Sequence, residues 1–196
     1  TINFDQTGDQ SLKVTTASSG AGTITINNAG GSGAYISVCS ISNTGTVVVN
    51  AAGAIDDVGD DSASPATDIT ASSVDLDAGK GIGATLALET QVSSLEANAS
   101  AGGVRVDNTG ALQIGGVVGT LRGVAATGNI ALNSTAGITV IEALTTGGTS
   151  EVRLSAVNGV TQSGADGDIT SGTGGVLINA DSNDDGTGGF LSDDIG

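Results

Sequence analysis

The sequence predicts an all-β chain: a parallel β-helix (β-solenoid) of about seven coils of roughly 25 residues each. Three observations predict it. A short motif, apolar-x-apolar followed by Asn, Asp or Ser, returns along the whole chain. Its apolar positions are rich in β-branched residues, which strands prefer. The composition suits a narrow interior with tight corners: 33 Gly, 1 Pro and 2% aromatics.

The copies begin at Ile24, Val47, Val74, Val104, Ile130, Val152 and Val176. In Ile24-Thr25-Ile26-Asn27, as in Val47-Val48-Val49-Asn50, the alternation puts two side chains on one face of a strand. The polar residue that follows hydrogen-bonds its own backbone and turns the chain, and a Gly a few residues on takes positive φ. Second strands follow around 35–38, 112–114 and 138–140. Stacked coils are expected to align Asn27, Asn50, Asp77, Asp107, Asn133 and Asn179 as one ladder at a corner. One coil cannot bury its own apolar face, but neighbours about 4.8 Å apart can.

Two stretches depart from the pattern. Residues 56–68 are acidic, hold Pro65 and read as a surface loop insertion. Residues 86–101 place Val92 and Leu95 at helical spacing, but no capping motif frames them, so a strand pair is preferred. Residues 181–196 form an acidic C-terminal loop. The whole, 1–196, reads as a single solenoid domain and a segment of a longer repeat protein.

Composition narrows function. Gly does not recur at every third position, which excludes collagen, and mean hydropathy of +0.19 argues against disorder. The net charge is −16, with 21 acidic against 5 basic residues. No basic patch is available for nucleic acid or an anionic membrane surface, and no apolar run is long enough to cross a membrane. The absence of His excludes imidazole-based triads and His-ligated zinc. Arg105 and Arg153 fall in equivalent positions two coils apart, too scattered for a lyase-like site. Cys39 has no partner for a disulfide within the chain.

Two segments resemble a known repeat. They are Leu88-Glu89-Thr90-Gln91-Val92-Ser93-Ser94-Leu95-Glu96-Ala97, with Gly102-Gly103-Val104-Arg105-Val106-Asp107 after it, and Gly128-Asn129-Ile130-Ala131-Leu132-Asn133-Ser134. Over roughly residues 70 to 180 the chain is similar to the repeats of large filamentous-haemagglutinin-like bacterial exoproteins. The resemblance implies a right-handed coil, secretion to the cell surface, and work as a stalk, adhesin or fibre. It brings no catalytic residues.

Calcium is the cofactor the acidic loops suggest. Asp181, Asn183 and Asp185 with Gly186 match the first half of a D-x-[DN]-x-[DN]-G loop, and Asp193 stands near its far end. Asp56, Asp57, Asp60 and Asp61 form a second acidic candidate. The expected function is therefore non-enzymatic and extracellular: a structural or adhesive module. Its expected partners are other copies, end-to-end or lateral, neighbouring repeats, glycans or a host surface. The alternative is a calcium-dependent carbohydrate-binding or polysaccharide-degrading β-helix.

Overall fold

A computed structural model describes residues 1–59, 67–117, 119 and 121–192. The chain winds as a parallel β-solenoid of about seven turns, with no helix among the described residues. The first turns are three-sided. β1 (Ile2–Gln6), β2 (Leu12–Val14) and β3 (Ala17–Ser19) lie under β4 (Thr23–Asn28), β5 (Ile36–Val38) and β6 (Ile41–Asn43). Above them come β7 (Thr46–Ala51), β8 (Ile55–Asp57) and β9 (Ile69–Thr70). The middle of the rod uses longer strands: β10 (Ser73–Ala78), β11 (Leu88–Gln91), β12 (Ser94–Ala99) and β13 (Val104–Asn108). Then follow β14 (Leu112–Ile114), β15 (Val124–Ala126), β16 (Ile130–Ser134), β17 (Ile138–Val140), β18 (Leu144–Thr146) and β19 (Val152–Ala156). The last are β20 (Val160–Gln162), β21 (Ile169–Thr170), β22 (Val176–Asn179) and β23 (Phe190–Ser192).

Every strand pair is parallel. The first sheet runs β1-β4-β7-β10-β12 and then forks. Ser94 and Leu95 of β12 pair with β14, while Ala97, Asn98 and Ala99 pair with β15. The excursion 115–123 separates the two branches. The second sheet runs β3-β6-β9-β11-β13-β16-β19-β22, and a small third sheet is β2-β5-β8.

The interior is built from columns of like residues. Ile24, Val47, Val74 and Leu95 stack in the first sheet, and Val106, Leu132 and Leu154 in the second, all buried. Alternation explains this: in β4, Ile24, Ile26 and Asn28 face inward and Thr23, Thr25 and Asn27 outward. A full turn of the chain brings the same strand position back over itself, so each column is continuous.

The repeat is therefore real, but it belongs to two sheets. The copies at Ile24, Val47 and Val74 lie in the first sheet, and those at Val104, Ile130, Val152 and Val176 in the second. The wide step from Val74 to Val104 is a change of sheet, and the unrecognised copy Leu95-Glu96-Ala97-Asn98 continues the first. The expected single ladder divides accordingly. Asp5, Asn27, Asn50, Asp77 and Asn98 form one column, and Glu89, Asp107, Asn133, Ser155 and Asn179 the other. Within them Asn50 Nδ2 donates to Asn27 Oδ1 at 2.7 Å and Asn98 Nδ2 to Asp77 Oδ1 at 2.8 Å. Asn27 also donates to Asp5, and Asn133 to Asp107 at 2.5 Å.

These residues line outer strand faces rather than corners. The corner residues are buried inward amides one or two positions away. Asn28 donates to the carbonyls of Gln10 and Tyr35, and Asn43 to those of Gly22 and Thr46. Asn108 accepts from Thr90 Oγ1 and the Val92 N–H and donates to the carbonyls of Val92 and Gly110. Each satisfies backbone groups that a bend removes from the sheet ladder. Residues 86–101 are the expected strand pair, β11 and β12.

Candidate functional site

Three carboxylates converge where the third sheet meets the second. One oxygen each of Asp57, Asp68 and Glu89 lies within 4.8 Å of the others. Asp57 ends β8, directly above Val14 and Val38 in an inward column. An aspartate thus occupies an interior position that the turns below fill with valine, and it is only 8% exposed. Neither of its oxygens accepts a hydrogen bond from a described residue. Asp68 precedes β9 and is fully buried; its Oδ2 accepts from the Glu89 N–H at 2.9 Å. Burial pushes the Asp68 carboxyl up to about 9: the Glu89 N–H opposes the shift, and the Asp57 charge and the Glu89 carboxyl add to it.

A second acidic group lies on the outside of the first sheet. Asp75 and Glu96 are register partners on β10 and β12. Their alternation is outward, yet both are buried, because Val117 and Gly119 lie against them. Val117 is buried, and its N–H donates to Glu96 Oε1 at 3.1 Å. Glu142 holds both ends of the excursion. It accepts from the N–H groups of Gly116 (3.3 Å) and Gly123 (2.9 Å) and pairs with Arg122 at 3.2 Å.

Burial raises the Asp75 carboxyl to about 6, with the Asp77 charge adding to it. Burial likewise raises Glu96 to about 7; the Val117 N–H opposes this, and the neighbouring Glu142 adds to it. Burial works against the Glu142 charge, but the Gly116, Gly123 and Arg122 donors and the bond to Glu96 outweigh it and hold that carboxyl low. Glu96 and Glu142 are thus neighbouring carboxyls shifted in opposite directions, the first up and the second down. The excursion is held by its own N–H groups, Val117 donating to Glu96 and Gly116 and Gly123 to Glu142.

The residues expected to bind calcium are placed as follows. Asp181, Asn183 and Asp185 share a tight turn. Asp181 accepts from the N–H groups of Asp185 (3.2 Å) and Gly186 (3.0 Å). Asp185 accepts from Asn183 Nδ2 at 2.6 Å and from the Thr187 N–H and hydroxyl. Asp193 lies outside the described residues, as do Asp60 and Asp61. Asp56 faces away from Asp57 and accepts from the Thr85 N–H at 3.1 Å and hydroxyl at 2.8 Å. Of the described members of the second acidic candidate, Asp56 and Asp57, only Asp57 enters the converging trio.

Residues 56–68 were expected as a surface loop, but Asp56 and Asp57 end strand β8, and Asp57 and Asp68 are buried, because the alternation from Ile55 turns Asp57 inward. Its meeting with Asp68, from the same turn, and with Glu89, from the next, was not legible, because it depends on how the turns wind. Asp75, Glu96 and Glu142 carried no signal: an outward carboxylate on a strand looks solvated until a distant loop covers it.

Arg105 and Arg153 occupy equivalent outward positions with Ala131 between them, as expected. Arg153 pairs with Glu151 at 2.9 Å. Cys39 is half-buried. A shallow polar groove follows the second sheet past Asp107, Asn133, Ser155 and Thr135.

Comparison of the chain with family models, curated proteins and solved structures returns no match.

Proposed function

We propose that the protein is a non-enzymatic structural or adhesive module of the bacterial cell exterior, a rod that extends by stacking β-coils end to end. What supports this is the state of the two end faces. The interior columns run through all the described turns, from the first strand to the last. Ile2 and Phe4 continue the Ile24 and Ile26 columns, and Phe4 is 45% exposed. Phe190 continues the Val160 column beside Leu191, which is 68% exposed. Among the described residues the first and last strands of each sheet pair on one side, the edge that a further parallel coil would satisfy. The acidic flanks repel lateral contacts and leave the ends as the places of attachment. Secretion, and kinship with haemagglutinin-like exoproteins, fit the repeat segments quoted above.

Light scattering after size-exclusion chromatography tests it. The chain is expected to form concentration-dependent linear assemblies, and the double variant Phe4→Lys, Leu191→Lys to run as a monomer. A wild-type chain that stays monomeric at high micromolar concentration refutes end-to-end stacking.

The polar groove along Asp107 and Asn133 favours a second reading, glycan binding. Its amide and hydroxyl donors suit sugar hydroxyls, and binding on a glycan array at fixed ionic strength would support it.

A further inference from the structure

We infer that Asp57, Asp68 and Glu89 form a calcium site that staples the third sheet to the second. The proposal stands apart from the assembly reading above. Its first ground is convergence. Three carboxylates from two consecutive turns, Asp57 and Asp68 from one and Glu89 from the next, meet with one oxygen each inside 4.8 Å. A calcium ion bonded at 2.3–2.6 Å spans ligand oxygens up to roughly 5 Å apart, so one ion reaches all three.

Its second ground is Asp57 itself. The side chain is 8% exposed, and neither oxygen accepts a hydrogen bond from any described residue. Buried carboxylates are otherwise paired or hydrogen-bonded, because an ion without donors in an apolar interior is costly. The column beneath shows what the fold alone would choose there, since Val14 and Val38 occupy the same position. A charged residue in a valine column, aimed at two more carboxylates, is explained by a cation between them.

The chemistry selects the ion. All the donors are hard oxygens, without thiolate or imidazole, which favours calcium or magnesium over transition metals. The trio offers up to six carboxylate oxygens in irregular array, and calcium accepts six to eight oxygens in flexible geometry, whereas magnesium demands a near-ideal octahedron and keeps its water. One divalent ion also reduces three converging negative charges to one.

The site differs from the turn at Asp181, whose oxygens are engaged by its own N–H groups and side chains. It joins the end of β8 in the third sheet to the residue before β9 and to β11 in the second. Binding there fixes the route of the chain between the third and second sheets.

Calcium chloride is titrated into chelator-treated full chain by calorimetry, and melting temperature is followed by circular dichroism. The wild type is expected to bind one calcium at this site and to melt at higher temperature with it; magnesium is expected to bind at least tenfold more weakly. Asp57→Val, which restores the residue of the turns below, should weaken that binding at least tenfold and abolish the melting shift. Without calcium it should melt at or above the wild type. Asp68→Asn should lose the same binding event, which gives a second answer if the valine variant folds poorly. Asp181→Asn should keep it. Absence of saturable binding by the wild type overturns the proposal. So does binding retained in both Asp57→Val and Asp68→Asn, or lost in Asp181→Asn.

Discussion

Replacing Asp75 with asparagine should change how the protein's stability responds to pH. Asp75 is buried on β10 beneath the excursion 115–123, and its carboxyl is raised from 3.8 to about 6. The folded protein therefore holds a proton on this group that the unfolded chain has already released. The sign follows from linkage. A carboxyl raised on folding contributes full stability below its unfolded value and loses that contribution as pH rises through the folded one. Each pH unit in which the native state holds one extra proton costs about 1.4 kcal/mol, so the wild type should lose about 3 kcal/mol from this group between pH 4 and pH 7. Asparagine has the same shape and no proton to lose. The assay is urea unfolding followed by far-ultraviolet circular dichroism, because the chain has no Trp. At pH 4 the two proteins should be close in stability. At pH 8 Asp75→Asn should be more stable than the wild type by about 3 kcal/mol. The relief of the net charge of −16 on acidification acts on both proteins and drops out of the difference. Parallel curves from pH 4 to 8, or a wild type that gains on the variant as pH rises, would refute the reasoning.

Glu96→Gln should behave in the same direction, since burial raises the Glu96 carboxyl to about 7 and the amide oxygen still accepts from the Val117 N–H; the same urea series at pH 4 and 8 checks it. Asn108→Ala should destabilise by about 3 kcal/mol in urea, because four hydrogen bonds at one buried corner are lost and the Val92 N–H is orphaned. Gly123→Ala should be strongly destabilising, and limited proteolysis should cut the excursion 115–123 first. Gly123 has φ of +63°, and an added Cβ would overlap the Ala143 carbonyl. Leu132→Ala, in a fully buried column, should cost about 2–5 kcal/mol by thermal or urea unfolding. Asn50→Ala should cost under about 1 kcal/mol in the same assay, since its ladder bond lies on an outer face.

How far the sequence reached can be judged from particular residues. The period, the strand chemistry and the inward columns were legible, because alternation and β-branched residues act within one strand. Ile24, Val49 and Leu154 announce their burial through their own neighbours. The acidic loop at 181–186 was legible as a turn for the same reason. The sheet to which each copy belongs was not. Apolar-x-apolar-Asn reads identically in β4 and in β16, and only winding assigns Asn27 and Asn133 to different columns.

The sequence by itself determined that this chain is a stack of short parallel strands with polar residues between them. Those features are set by local periodicity, and composition alone ruled out imidazole chemistry and a basic binding surface. Only the tertiary structure decided where charge is buried. Asp57 and Asp68 meet across a corner of one turn, and Glu89 joins them because the next turn lies one strand spacing away. Asp75 and Glu96 are buried because an excursion from a later turn folds back over an outer face. Burial and proximity between turns depend on the coil as a whole, and no short window of sequence carries either.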